Sequence, residues 1–214
     1  MGHLACRLAG EMRQPLSVMR NAVYLLKTNL GTDLDEKTQH HLTLLLDGVE
    51  EMDGIVANLG SLVGAQVRDR RVTGVDDLVS AALSRVQTRT GVTIETALEP
   101  DAVLFGDPAQ LQQALTNIIN NSVQAILREG LVRVVCQNAG KETRVVISDN
   151  GPGMTEEVRA LAPQPLFTLS PHRVGIGLTV AQQLVGACGG NLAIESVPGA
   201  GTTITLTFPR YEGL

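Results

Sequence analysis

Apolar residues in the first third of the chain fall alternately three and four positions apart. Leu16, Met19, Val23, Leu26 and Leu30 form one such run. After the turn-like "GTDLDEK", Leu42, Leu45, Val49, Met52, Val56, Leu59 and Val63 form another. Heptad spacing held over several turns predicts helices that meet along a coiled-coil-like seam. Two of them joined by a short polar loop make an antiparallel hairpin over 3–30 and 37–66. One hairpin has little to bury by itself, so pairing of two copies into a dimeric four-helix bundle is expected. Residues 1–66 are therefore read as a dimerising unit.

The charged stretch "VRDRR", Val67–Arg71, reads as a linker, and beyond it the pattern changes. "VDDLVSAALSRV" has helical periodicity, "VTIETAL" alternates like a strand, and "AVLF" is a short strand. "GDPAQLQQALTNIINNSVQAILREG" predicts a helix capped by Asp107 with Pro108 in its first turn. "LVRVVCQN" and "TRVVISDN" predict strands joined at Ala139–Gly140. "GIGLTVAQQLVGACGG" predicts a helix closed by glycines, and "NLAIESV" with "TTITLTF" a hairpin around "PGAG". Helices grouped with a mostly antiparallel sheet give a two-layer α/β sandwich over 72–214. The fold class is α+β.

Composition narrows the functional classes. The 214 residues are 43% hydrophobic, enough for a buried core, and carry a net charge of -5. The pI near 5.4 and the lack of a basic face argue against nucleic acid as a partner. Cys6, Cys136 and Cys188 are odd in number and lack CxxC spacing, which predicts reduced thiols. No apolar run approaches the roughly 18 residues of a membrane span, and no signal peptide opens the chain. A cytoplasmic location with no membrane segment in this chain is expected.

Four stretches carry candidate chemistry. Asn117 and Asn121 stand at i and i+4 on one helix face, where two carboxamide oxygens can meet a hard cation such as Mg²⁺. "SDNGPGM" ends a strand with Asp149, an acceptor for an exocyclic amine, followed by Gly151 and Gly153. "GIGL" opens a helix, so Gly175 and Gly177 free its first amides for phosphate, with Leu178 beside them. "PGAGTT" contains Gly199, Gly201 and Thr202. Each signal alone suits an ordinary helix face or turn.

Together and in this order, they resemble the four nucleotide-binding boxes of the GHKL (Bergerat-type) ATP-binding domain of sensor histidine kinases. The opening "GHLACRLAGEMRQPLSVMRNAVYLL" resembles the dimerisation and histidine-phosphotransfer helix of those kinases, and the likeness covers nearly the whole chain. It implies a two-component signalling core that binds ATP and Mg²⁺, with Asn117 and Asn121 on metal and phosphate. It further implies Asp149 on adenine and Gly151 and Gly153 along the base. Arg173, Gly175, Gly177, Leu178 and Thr202 would complete the nucleotide site, under a lid over Met154–Val174. The implied partners are a second copy of the chain, the receiver domain of a response regulator, and alternatively a partner kinase.

The chain departs from that pattern at three places. A gapless alignment puts the phosphoacceptor histidine on Gly10, which has no nitrogen nucleophile, while Glu11, Arg13 and Pro15 stay in register. Gln14 replaces the asparagine or threonine that would orient water. In the lid, Ser170 replaces a lysine and Arg173 a glycine. His3 lies seven residues earlier without the acid expected after an acceptor, His40 and His41 begin the second helix on a solvated face, and His172 falls in the lid. The resemblance therefore implies a kinase core without autophosphorylation at the usual site. The alternatives are a pseudokinase scaffold, a response-regulator phosphatase using Glu11 and Gln14, and a kinase with an engineered Gly10.

Overall fold

Of the 3,4-spaced positions of the first third, Leu16, Met19, Val23, Leu26, Leu42, Leu45, Val49, Met52 and Val56 lie on helix in the computed structural model, and Leu30, Leu59 and Val63 lie outside the described residues. The structure describes residues 2–29, 35, 37–42, 44–45, 48–49, 52, 54–56, 69–86, 89–169 and 175–211; within the first helix, side chains are described at 12 and 15–28. That helix, α1, spans Gly2–Asn29 and continues through Pro15. The described residues between 37 and 56 are helical as well.

The apolar run in this part sorts into two sets. Leu16, Val23, Leu42, Val49 and Val56 are buried within a single chain, each seven residues from the next on its own helix, and Leu16 packs with Val56. The interleaved set stays open: Met12 48%, Met19 49%, Leu26 48%, Leu45 55% and Met52 40% exposed. These also recur at seven-residue steps. Val18, Leu25 and Leu44 widen the open stripe.

The chain divides into two compact units, Met1–Gly64 and Ala65–Leu214. The second holds all the strands described. β1 (Arg71–Gly74) and β3 (Val103–Gly106) form a two-stranded antiparallel sheet. β2 (Val92–Leu98), β4 (Gly130–Ala139), β5 (Glu142–Asp149), β6 (Asn191–Val197) and β7 (Gly201–Pro209) form a five-stranded sheet in the order β2-β4-β5-β7-β6. Only the β2–β4 pair is parallel, with Val92 opposite Gly130 and Leu98 opposite Cys136. The helices are α2 (Val75–Leu83), α3 (Pro108–Ala125), α4 (Glu156–Leu161) and α5 (Gly177–Ala187).

Strand periodicity puts the core on one face. Val132, Val134 and Cys136 of β4 are buried, as are Val145 and Ile147 of β5 and Ile204, Leu206 and Phe208 of β7. α3 answers with a stripe of Leu111, Ala114, Leu115, Ile118, Ile119 and Val123, and packs against α5, β4 and β5. Asp107 caps α3: its Oδ1 accepts from the amides of Ala109 at 3.1 Å and Gln110 at 3.5 Å. Replacing such a cap by alanine costs about 1 kcal/mol.

The structure corrects several expected boundaries. α3 stops at Ala125 rather than running to Gly130, because Ile126 turns extended and buries its side chain, while Arg89 Nη1 donates to its carbonyl at 3.0 Å. α2 ends at Leu83, before Ser84, Arg85 and Val86 of the expected helix. β1 and α4 were not expected, being only four and six residues long. Among the described residues, no helix is long and apolar enough to cross a membrane.

Candidate functional site

The inward face of β5 carries Thr143, Val145 and Ile147, and the next member of that series is Asp149. Period-two alternation therefore turns a carboxylate toward the helix layer where the strand ends, and it is 9% exposed. Its Oδ1 accepts from the Gly151 amide at 3.0 Å. Burial raises the Asp149 carboxyl above the usual carboxylate range; hydrogen bonds from the Gly151 amide, the Ser122 hydroxyl and the Thr202 amide oppose that rise.

Two of the glycines around Asp149, Gly153 and Gly201, are required by the chain's own backbone. Gly201 has φ 93°, and a Cβ there would sit 1.9 Å from the Asp149 carbonyl oxygen. Gly153 has φ 64°, and its Cβ would come within 2.0 Å of the Val197 carbonyl oxygen. At Gly151 the obstacles are Asp149 Oδ1 at 2.9 Å and the Cβ of Ala125 on α3 at 3.3 Å. The loop after β5 is thus pressed between α3 and the β6–β7 hairpin.

Polar links hold it there. The Gly199 amide donates to the Pro152 carbonyl at 2.7 Å, and the Met154 amide donates to Ser196 Oγ at 2.8 Å. Ser196 Oγ donates in turn to the Gly201 carbonyl at 2.9 Å and lies 2.9 Å from Thr202 Oγ1. A hydroxyl has one proton, so in the Ser196–Thr202 contact Thr202 is the donor. Its lone pairs remain acceptors.

A second group forms where α3 meets the start of α5. Asn117 Nδ2 donates to the Gly177 carbonyl at 3.2 Å. A Cβ on Gly177 would lie 3.8 Å from both amide atoms of Asn121 and 4.0 Å from the Asn117 Cβ. Packing alone does not demand glycine there. Gly175 is different: its φ is 69°, and a Cβ would be 2.3 Å from the Phe167 carbonyl oxygen. Leu178, in the first turn of α5, is half-buried. Gln124 continues the Asn117–Asn121 face, and its Oε1 is buried with no hydrogen-bond partner among the described residues.

The two groups meet along α3. Asn121 lies beside Gly177, and one turn later the Ala125 Cβ lies against Gly151, whose amide donates to Asp149. The structure thus brings together Asn117, Asn121, Asp149, Gly151, Gly153, Gly175, Gly177, Leu178 and Thr202. Gly10, Glu11 and Gln14 lie on α1 in the other unit, and the side chains of Glu11 and Gln14 are outside the described residues, as is Arg173. Sequence reasoning missed Ser122 and Ser196. Ser122 left one trace: a hydroxyl four residues after Ile118, on an otherwise apolar stripe. Ser196 left none.

Residues 106–212 match the family described as "Histidine kinase-, DNA gyrase B-, and HSP90-like ATPase". Sporulation kinase B of Bacillus subtilis (strain 168) is 29% identical over 213 residues, spanning 98% of this chain and 50% of that protein. The mycobacterial sensor histidine kinase MprB has a similar solved structure, with TM-score 0.60 and 26% identity over 66% of this chain and 98% of that one. Full-length ShkA, crystallised in complex with AMPPNP, aligns with TM-score 0.75 and 20% identity over 100% of this chain and 47% of its own. The chain spans half or less of the length of the curated relatives it matches.

Proposed function

Because the chain belongs to the histidine kinase-, DNA gyrase B- and HSP90-like ATPase family, we propose that it is the nucleotide-binding core of a two-component signalling protein that cannot phosphorylate itself at the usual position. The observation that carries this reading is that α3 sets Asn121 against Gly177 and, one turn later, Ala125 against Gly151, which joins a carboxamide pair at a helix start to a buried carboxylate. ATP fits that arrangement. Its base would meet Asp149 and the Gly151–Gly153 turn with Thr202 nearby. Its phosphates would meet Asn117, Asn121 and the first amides of α5 at Gly177 and Leu178, with Arg173, outside the described residues, as a further candidate.

The donor set also suits Mg²⁺, which takes few protein oxygens alongside phosphate and water. Asn117 and Asn121 offer neutral oxygens, and the unpartnered Gln124 Oε1 on the same face supports a cation or hydrogen-bond donor close by. When bound, the metal would neutralise phosphate charge. The protein residues would hold the nucleotide and exclude water from the base.

Residues 1–66 would serve as a dimerisation hairpin, 67–71 as a linker and 72–214 as the ATP-binding domain. The open heptad stripe on Met12, Met19, Leu26, Leu45 and Met52 supports pairing with a second copy. A response-regulator receiver domain would then be the downstream partner. Gly10 favours a second reading, a scaffold or phosphatase that binds nucleotide without passing phosphate through histidine. Incubation with γ-labelled ATP and Mg²⁺ tests the proposal, with acid-labile phosphate as the readout. The parent should bind ADP and remain unlabelled, and Gly10→His should become labelled if only the acceptor is missing. Labelling of the parent would overturn the reading; an unlabelled Gly10→His protein that binds ADP would favour the scaffold.

A further inference from the structure

We propose that Thr179 is a positioning residue for the nucleotide's phosphates, its hydroxyl fastening the first turn of α5 to the segment that follows α4. The inference rests on the nucleotide reading above and concerns a side chain one residue past "GIGL". Thr179 is 6% exposed, and its Oγ1 donates to the Pro163 carbonyl at 2.9 Å, 16 positions away in sequence. A helical threonine more often bonds the carbonyl four residues before it. Thr28 and Thr116 do so, reaching the carbonyls of Tyr24 and Gln112 at 2.9 Å. Thr179 is only the third residue of α5, so no full helical turn precedes it, and its proton goes to another segment.

Two contacts fix the start of α5. One comes from α3, where Asn117 Nδ2 donates to the Gly177 carbonyl at 3.2 Å. The other, from Thr179, joins the helix to the segment after α4. That segment holds a strained residue. Leu166 has φ 65° while 70% exposed, so its own side-chain packing does not impose the conformation. A leucine stays in the left-handed region only where its surroundings over-determine it. Here the restraints act on the backbone to either side. Thr179 holds the Pro163 carbonyl, and Gly175, at φ 69°, leaves no room for a Cβ beside the Phe167 carbonyl. Between them the Gln164 amide donates to the Leu161 carbonyl at 2.8 Å and the Phe167 amide to the Gln164 carbonyl at 3.3 Å.

Among the described residues no side chain caps α5 at Ile176, so the orientation of its first amides depends on what holds the turn itself. Without the Thr179 hydroxyl, the Pro163 carbonyl loses its donor and the segment can relax at Leu166. The turn then keeps its tie to α3 through Asn117 but not its tie to Pro163. The Gly177 and Leu178 amides should spread over more orientations and hold phosphate less firmly. The base end should be unaffected. Asp149, Gly151 and Gly153 are held through the β6–β7 hairpin and the loop after β5, by contacts that do not include Thr179. Losing the hydroxyl should therefore weaken the phosphate part of binding alone. A simple packing defect between α3 and α5 would weaken both ends alike.

The test compares ADP with Mg²⁺, titrated calorimetrically, and adenosine, titrated by ligand-observed NMR, on the full chain. Thr179→Val keeps the shape without the hydroxyl, Thr179→Ala is a second hydroxyl-free form with better helix preference, and Thr179→Ser restores the donor. Thermal melting of each protein establishes that it is folded. In the hydroxyl-free forms ADP should bind about fivefold more weakly, the size of one neutral hydrogen bond. Adenosine should stay within about twofold of the parent, and Thr179→Ser should recover the ADP affinity. Equal losses for ADP and adenosine, or unchanged ADP affinity in a folded hydroxyl-free form, would overturn the assignment to Thr179 and leave the nucleotide reading standing. Failure of the parent to bind ADP would overturn the nucleotide reading and this inference with it.

Discussion

Leu45→Asp provides a quantitative test of the open stripe on the helical unit. Complete burial of a leucine or methionine side chain is worth about 1.5–3 kcal/mol. Each of Met12, Met19, Leu26, Leu45 and Met52 retains about half its exposure in one chain, so each has about 0.8–1.5 kcal/mol left to gain. Five positions per protomer give about 8–15 kcal/mol for a symmetric pair. That is comparable to the roughly 4–15 kcal/mol that association costs in lost freedom. A dimer would then depend on the flanking Val18, Leu25 and Leu44, with a narrow margin. An aspartate at position 45 forfeits about 1 kcal/mol of burial per copy and places an unpaired carboxylate in the seam at a cost of several kcal/mol. Twofold symmetry applies both costs twice. Sedimentation at micromolar concentration should find the parent near twice 22.7 kDa and Leu45→Asp near 22.7 kDa. Helical circular dichroism should persist, because Leu16, Val23, Leu42, Val49 and Val56 are untouched. A variant that stays dimeric at micromolar concentration would refute the assignment of this stripe to the interface.

Two further outcomes follow from the nucleotide domain. The Asp149 carboxyl titrates above its ordinary value in the fold, so its contribution to stability is present at low pH and lost as pH rises through the raised value. Asp149→Asn should therefore raise the melting temperature of the ligand-free protein at pH 7.5 while abolishing most ADP binding; a lower melting temperature would contradict the burial argument. Gly201→Ala, at φ 93° and against the Asp149 carbonyl, should destabilise the domain by about 3 kcal/mol or more. Gly177→Ala meets only ordinary contacts, so in denaturant melts it should stay within about 1 kcal/mol of the parent. Similar losses at the two positions would remove the steric distinction drawn between them.

The ease of reading the chain varied with the physics. Long periodic segments announce themselves: the 3,4 spacing reappears as helix, and the alternation in β5 explains why Asp149 turns inward. Spacing cannot say which half of a heptad seam packs within its own chain, because Leu16 and Met19 are equally apolar and differ only in their tertiary neighbours. Nor can it separate glycines by duty. Gly177 and Gly201 look alike in sequence, yet one faces open contacts and the other a carbonyl oxygen. Short elements such as β1 and α4 lack the length to build a periodic signal. Ser196 is a common residue type whose importance arises from a partner 42 positions away, Met154.

The division of the helical unit into an inner and an outer apolar layer separates two kinds of evolutionary change. Leu16, Val23, Leu42, Val49 and Val56 are buried without any neighbouring chain. Met12, Met19, Leu26, Leu45 and Met52 can be exchanged for other shapes, or for charges matched on a neighbour, without reopening that inner layer. Related chains that keep the inner set and diverge in the outer set would each fold alone and recognise different mates. Insulation between coexisting signalling proteins, or deliberate mixing of two of them, could then arise from about five side chains per protomer.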